Sequence, residues 1–404
     1  MAGANHVTVR MFNVGFGDSF LLTFPAPDRP RRVLIDCGVH SIGPGPTPMR
    51  EMVGQIIKDV TDEDGTSRID IVIASHRHQD HVSGFRYASW ENVEVGEVWM
   101  PWTEHPKDPE AKQIREAQST RARKLQLALM RLGADEGVMA MAENNLTNAA
   151  AMATLHKGFR GVRRRRFLPS NETERTIFTP LLPGVEVHVL GPSRNRDVIR
   201  DMEPEEGESY LQFRLGKTRT PVKRVKPFRD EWALPQAKFS KVFGHLSFTA
   251  DDRERLANVG SGTEFELVTQ LERAVNGTSL MLMFVVGRAH LLFPGDAQWG
   301  TWTNALADPE WRELLSKTTF YKVGHHASHN ATPPVFVETS LRRRFSAMIS
   351  TRPVKKWPEI PRAPLLEQLR KRSPRVVRSD LADVPDPLDF KRGRGYVEAN
   401  VPIS

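Results

Sequence analysis

The 404-residue sequence contains a single cysteine, Cys37, which excludes an internal disulfide bond. It has no uninterrupted apolar run of about 18 residues, the length that crosses a bilayer as a helix. No positively charged segment followed by an apolar segment opens the chain either. These absences predict a soluble protein of a reducing compartment, without membrane association, and we expect it in the cytoplasm.

Acidic residues are missing from two segments of a chain whose formal net charge is +8. Residues 157–166 contain six basic residues and residues 211–229 contain seven, with no Asp or Glu in either segment. Such runs either form a solvated surface or bind the phosphates of a polyanion, and both interpretations remain open. The candidate phosphate contacts are Arg163, Arg164, Arg165 and Arg166.

The apolar pattern indicates a globular chain in which strands and helices alternate. Hydrophobic residues make up 39% of the sequence, which is enough for a large core. Apolar, β-branched runs predict strands over 69–74 and 95–101, and helical spacing predicts helices over 50–60 and 109–132. Residues 193–275 lose this pattern and are too long for an ordinary loop. We therefore expect one domain over residues 1–404 with an insertion at 193–275.

The segment S-H-R-H-Q-D-H, from Ser75 to His81, is the most informative feature and directly follows a predicted strand. Imidazole nitrogens and carboxylate oxygens are ligands of zinc and other divalent metals. His76 and His78 alternate along an extended segment and would bind one ion. Asp80 and His81 lie beyond the bend and would bind a second.

This segment resembles H-x-H-x-D-H, the first metal motif of the metallo-β-lactamase superfamily of metal-dependent hydrolases. Other segments resemble, in the same order, the branch that includes the hydrolase domain of competence DNA-uptake proteins. They are M-F-N-V-G-F-G-D-S-F-L-L from residue 11, V-L-I-D-C-G from 33, N-G-T-S-L-M-L-M-F from 276, H-L-L-F-P-G-D from 290 and Y-K-V-G-H-H-A-S from 321. The resemblance implies an α/β fold, a layered αββα sandwich with an insertion.

The resemblance also implies a site with two Zn²⁺ ions per chain, with Mn²⁺ as the alternative, bridged by Asp296. The first ion would have His76, His78 and Asp296 as ligands, and the second would have Asp80, His81, Asp296 and His325. We assign His326 to the substrate side, as a hydrogen-bond donor or proton shuttle. The reverse assignment of the two neighbouring histidines stays open, because only one of them can point at a given metal.

Many members of the superfamily have another histidine ligand where this chain has Asn276, Gly277, Thr278 and Ser279. Asn276 is either a turn residue or, together with Ser279, a substrate contact. Asp36 ends a predicted strand near the expected site. It is expected either to accept the second N–H of a metal-binding histidine or to cap a turn.

The residues and the resemblance together predict a phosphodiesterase or nuclease in which divalent metals activate a water molecule as the nucleophile. Asp80 would orient this water or accept its proton. The expected substrate is a nucleic acid or another phosphodiester. Two alternatives remain: hydrolysis of a small ester, thioester or lactam, and a non-catalytic module that binds a partner.

Overall fold

The computed structural model describes residues 5–132, 139, 142–145, 148–201, 271, 273–328, 330–342, 344–355, 357–381, 387 and 390–404. Most of the predicted insertion at 193–275, including the basic segment 211–229, lies outside the described residues.

Strands in the described part of the chain form two mixed sheets. In chain order they are β1 His6–Phe12, β2 Ser19–Phe24, β3 Arg31–Cys37, β4 Arg68–Ile73, β5 Glu94–Pro101, β6 Arg164–Leu168, β7 Thr176–Ile177, β8 Glu186–Gly191, β9 Met281–Val286, β10 Ala289–Phe293, β11 Phe320–Lys322, β12 Ser346–Ile349, β13 Val376–Arg378, β14 Phe390–Gly393 and β15 Tyr396–Pro402. The first sheet has the order β14-β15-β1-β2-β3-β4-β5-β6, and the second has the order β13-β12-β11-β10-β9-β8-β7.

Helices cover the outer faces of both sheets. In chain order, the helices of the described residues are α1 Met49–Asp59, α2 Gln79–Val82, α3 Pro109–Leu132, α4 Ala149–Ala153, α5 Arg196–Arg200, α6 Trp299–Ala307, α7 Pro309–Ser316 and α8 Ala363–Arg372. Met52 and Ile56 of α1 pack on the first sheet, while Trp302 of α6 and Leu369 of α8 pack on the second.

The inner faces of the two sheets share one hydrophobic core. In β2 the alternating residues Phe20, Leu22 and Phe24 enter this core, while Leu21 points to the helices on the other face. The ring centroids of Phe20 and Phe293, which belong to different sheets, lie 5.7 Å apart in an edge-to-face contact. Helices therefore lie outside a pair of packed sheets, and the predicted α/β class is confirmed.

Most elements predicted from the sequence are present with nearly the expected bounds, as β4, β5, α1 and α3 show. The basic segment at 157–166 was assigned no element from the sequence, but its last three residues begin strand β6. Arg166 can lie in this strand because its Nε lies 2.8 Å from a carboxylate oxygen of Glu97 in β5. An ion pair between neighbouring strands offsets the cost of burying its charge.

The parallel strands bring distant segments to one place. β3, β4, β5 and β6 run parallel, so their carboxyl ends lie along one edge of the first sheet. β10 and β11 are parallel neighbours in the second sheet. The backbone N–H of Leu280, which precedes β9, donates to the carbonyl of Ser75, which follows β4, over 2.9 Å. The two sheets are thus tied together beside the predicted metal motif.

None of the helices in the described residues is both long and apolar enough to span a bilayer. Location in the cytoplasm stays a prediction.

Gly38 lies where the turn after β3 touches helix α2. A Cβ placed on Gly38 would meet backbone atoms of Asp80 and His81 at 2.5 Å. We expect Gly38→Ala to lower the free energy of unfolding by about 1–3 kcal/mol, the usual cost of overpacking. Urea unfolding followed by circular dichroism measures this change.

Gly54→Ala is the matched control, because Gly54 is exposed on α1 and its added Cβ would meet no atom within 4 Å. This change should raise the free energy of unfolding by about 1 kcal/mol, since alanine is the better helix former. If Gly38→Ala were as stable as the wild-type protein, the close approach of the two segments would be wrong.

Candidate metal centre

Residues far apart in the sequence converge at the ends of three strands. His76 and His78 follow β4, Asp80 and His81 lie in α2, and Asp296 follows β10. His325 and His326 follow β11 in a short 3-10 helix. The following residues are each 4% exposed or less: His76, His78, Asp80, His81, Asp296 and His326. The carboxylates and imidazoles predicted from the motifs are therefore buried together.

The centre of the cluster is formed by Asp80, His81, Asp296 and His326. One side-chain oxygen or nitrogen of each of these residues lies within 4.8 Å of those of the other three. His81 Nε2 lies 3.2 Å from Asp296 Oδ2, and His326 Nε2 lies 3.2 Å from Asp80 Oδ2. A buried set of two imidazoles and two carboxylates can hold a divalent metal ion.

His76 and His78 form a second pair of ligand atoms beside this cluster. His76 Nε2 lies 3.0 Å from His78 Nδ1, close to the roughly 3.3 Å that separates two ligands of a tetrahedral zinc ion. His78 Nε2 donates to the amide oxygen of Asn145 over 2.9 Å, which leaves its Nδ1 lone pair directed towards His76. The ring centroids of His76 and His81 are 4.2 Å apart, so the pair of His76 and His78 lies next to the four-residue cluster.

Asp36 orients His81 from behind. The Nδ1–H of His81 donates to Asp36 Oδ2 over 2.8 Å, so Nε2 is the ring nitrogen of His81 that faces the cluster and would bind a metal ion once it loses its proton. The backbone N–H and the hydroxyl of Ser75 both donate to Asp36 over 2.7 Å and fix this carboxylate. The hydrogen bond expected of Asp36 is present, and it holds the ring in the direction that metal binding needs.

The two neighbouring histidines have positions opposite to those we favoured from the sequence. His326 lies beside Asp80, whereas His325 Nε2 is 3.9 Å from Asp296 Oδ2 and its side chain is 19% exposed. The physical reason is the backbone: His325, His326 and Ala327 have φ angles of 45°, 50° and 65°. A left-handed turn replaces the extended strand on which the alternation argument depended.

Asn276 and Ser279 are both buried next to these residues. The side-chain nitrogen of Asn276 lies 3.4 Å from His325 Nε2. The hydroxyl of Ser279 accepts the backbone N–H of Asp296 over 3.3 Å, so it supports the turn that carries this carboxylate. A direct contact of Asn276 or Ser279 with a substrate stays a prediction.

Sequence reasoning missed Lys322, which is 2% exposed. Its ammonium contacts Asp18 directly, donates to the carbonyl of Gly295 over 3.2 Å and lies 3.5 Å from Asp296 Oδ1. Burial opposes this charge, but Asp18 and Asp296 outweigh burial and raise the pKa of Lys322 above its usual range. A lysine on an otherwise apolar strand was the available signal.

The four arginines predicted to contact phosphate are placed differently from one another. Arg163 and Arg164 are exposed. Arg165 donates through Nε to the carbonyl of Leu155 over 3.2 Å. The side chain of Arg166 is 11% exposed and paired with Glu97, so we remove Arg166 from the candidate phosphate contacts.

Negative carboxylates and protonated histidines stabilise each other's charge in the cluster. Burial disfavours charge on His81, yet Asp296, Asp36 and Asp80 outweigh burial and raise its pKa well above the usual value. Burial also opposes charge on His326, but its hydrogen bond to Asp80 and the charges of Asp18 and Asp296 together outweigh burial and raise its pKa. Burial, together with the charge of His81, lowers the pKa of His76. Protons on His81 and His326 thus occupy the place where a metal ion would bind.

The chain matches no family model, and no curated protein matches it. Its function is therefore inferred from the site and from the sequence motifs.

Metal affinity should increase as the pH rises above the ordinary histidine pKa of about 6.5, because ions must displace protons whose pKa is raised on His81 and His326. Acidification keeps these protons in place and weakens metal binding. We expect the release of about one to two protons per ion bound. Calorimetric zinc titrations in buffers of different ionisation enthalpy measure both quantities. Equal affinity at all pH values, without proton release, would contradict this picture.

The two neighbouring histidines can be separated by substitution. His326→Ala should reduce the amount of bound metal, because it removes a nitrogen 3.2 Å from Asp80 Oδ2. His325→Ala should retain the metal of the wild-type protein, since His325 lies at the edge of the cluster. Elemental analysis after dialysis gives the metal content of both variants. The opposite result would restore the assignment favoured from the sequence.

Proposed function

We propose that the protein is a divalent-metal-dependent hydrolase of the metallo-β-lactamase superfamily that cleaves phosphodiester bonds, as a phosphodiesterase or nuclease. The observation that carries this proposal is the 4.8 Å cluster of Asp80, His81, Asp296 and His326. All four belong to the motifs that resemble the superfamily. Packed sheets with helices on their outer faces support the αββα fold.

The unpartnered atoms of the cluster fit bound cations. Asp80 Oδ1 and, beside the cluster, His325 Nδ1 are buried without a hydrogen-bond partner among the described residues. Groups of this kind are rare unless an ion or water satisfies them. Three buried carboxylates, those of Asp18, Asp36 and Asp296, act on the ammonium of Lys322, and Asp80 is buried nearby in the cluster. Divalent cations would balance this concentration of negative charge.

The side chains suggest how two ions, Zn²⁺ or Mn²⁺, would be held. His76, His78 and Asp296 would hold one ion, and Asp80, His81, Asp296 and His326 would hold the other. Bound ions of this kind supply a nucleophile by lowering the pKa of water from about 15.7 to about 7. No serine or cysteine nucleophile is needed.

The remaining atoms have roles around the reacting water and the substrate. Asp80 Oδ1, which has no hydrogen-bond partner among the described residues, would orient the water or accept its proton. Burial lowers the pKa of His325 to about 4, so its imidazole is neutral at neutral pH. Because the His325 side chain is 19% exposed, we assign it the substrate-side role first given to His326. It would donate a hydrogen bond to a substrate oxygen.

The basic character of the chain favours a phosphodiester over a neutral substrate. The formal net charge is +8, and two exposed cations lie at the start of β6, a strand of the sheet that carries the metal motif: Arg164 is its first residue and Arg163 directly precedes it. The same donor set also supports hydrolysis of a small ester, thioester or lactam, which is the competing proposal. A non-catalytic role would leave the near-complete set of ligands unexplained.

Hydrolysis of bis-p-nitrophenyl phosphate, single-stranded DNA and a simple thioester, each with zinc or manganese, tests the proposal. We expect cleavage of the two phosphodiesters. The double variant Asp80→Ala, His81→Ala should lower this activity at least about 1,000-fold, since it removes two ligands and the group that orients water. Its circular dichroism spectrum should remain that of a folded protein.

The control carries the same chemical changes away from the cluster, Asp28→Ala with His6→Ala, and should keep wild-type activity. Cleavage of the thioester alone would favour the competing proposal. Undiminished phosphodiester cleavage by the Asp80 and His81 variant would exclude this cluster as the active site.

A further inference from the structure

A cleft of about 320 Å³ lies beside β6, away from the metal cluster. One wall is formed by β6 and the other by the segment that follows β5. The lining residues include Trp102, His105, Lys107, Arg164, Arg165 and Phe167. β6 is the edge strand of its sheet in the described residues, so this wall is not covered by another strand of that sheet.

The cations of this cleft have few counter-charges. Lys107 and Arg164 are exposed and make no ion pair with the residues that the structure describes. Burial lowers the pKa of Arg165, and no described carboxylate offsets this effect. A half-buried guanidinium without an acidic partner favours an anion as its ligand.

The acidic residues that line the cleft already have partners. Asp108 pairs with Arg194 over 2.6 Å, and its other oxygen accepts backbone N–H groups at the start of α3. Glu174 accepts the backbone N–H of Ser170 over 2.5 Å. These contacts hold the carboxylates in place and leave the cleft with an excess of positive charge.

Aromatic rings lie beside the cations. The ring of half-buried Phe167 lies 4.5 Å from that of His105, and it stacks on His156 at 6.0 Å with an angle of 25° between the planes. Flat rings next to arginines are typical of surfaces that bind the bases and phosphates of a single strand.

Contacts connect the cleft to the metal motif. Arg77, between His76 and His78 in the sequence, donates to both oxygens of Glu104 over 2.8 and 2.6 Å. Glu104 immediately precedes His105 of the cleft. β4 and β6 are two strand spacings apart, roughly 10 Å. A nucleic acid cut at the metal cluster would have to extend along this edge of the sheet to reach the cleft.

From this geometry we propose that the cleft is a phosphate subsite for single-stranded nucleic acid, formed by Lys107, Arg164 and Arg165. It would hold a phosphate beyond the scissile one, with the aromatic group of His105 and Phe167 beside it. This inference rests on the proposed function and gives it a substrate class, a polymer rather than a small phosphodiester.

Binding measured without cleavage tests the subsite. Fluorescence anisotropy with labelled dT12 and rU12 in EDTA reports affinity as a function of salt for the full chain. The triple variant Lys107→Gln, Arg164→Gln, Arg165→Gln should weaken binding at least about 10-fold at low salt. It should also reduce the slope of log affinity against log salt by about 2, because each phosphate contact contributes about 0.7.

The control, Arg312→Gln, Lys391→Gln, Arg394→Gln, removes the same charge from exposed positions elsewhere and should keep the wild-type slope. The pair Lys107→Glu, Arg164→Glu changes only exposed side chains, and should weaken binding even if the triple variant does not fold. Equal losses in the control and the cleft variants would overturn the subsite. So would a lack of oligonucleotide binding by the wild-type protein, and metal-dependent cleavage of bis-p-nitrophenyl phosphate would then still support the proposed function.

Discussion

Concentrated negative charge, buried between the ends of two sheets, is the constraint on which the rest of this structure depends. Asp80 and Asp296 are each 4% exposed or less, and a third buried carboxylate, Asp36, lies behind His81. Carboxylates buried in this way are costly unless cations and hydrogen-bond donors surround them. Within the protein, that compensation comes from the ammonium of Lys322 and from the protons on His81. A divalent ion would replace the proton that faces the cluster.

The fold satisfies this constraint through its topology. Parallel strands end at a common edge, so residues separated by more than 200 positions in the sequence meet there. Close backbone contacts then hold α2 against the turn that follows β3, because Gly38 leaves no room for a side chain between them. The hydrogen bond from Leu280 to Ser75 joins the sheets at the same place. Rigid strands and turns, rather than flexible loops, thus determine how the ligand atoms are directed.

Local patterns in the sequence were sufficient for strands, helices and the first motif, because hydrophobic periodicity reports which face of an element is buried. They could not distinguish His325 from His326, since the left-handed turn at these residues depends on packing and not on a local pattern. They also missed β6, where the pairing of Arg166 with Glu97 joins residues 69 positions apart. Lys322 was missed for the same reason, as its partner Asp18 is distant in the sequence.

The central claim is that divalent ions bind between these residues, and anomalous X-ray scattering tests it most directly. In crystals grown with zinc, we predict one or two strong peaks at the zinc edge, about 2.0–2.3 Å from their ligand atoms. The ligand atoms should include His81 Nε2, His326 Nε2 and carboxylate oxygens of Asp80 and Asp296. A map in which zinc is present elsewhere, while this cluster shows no anomalous density, would contradict the account.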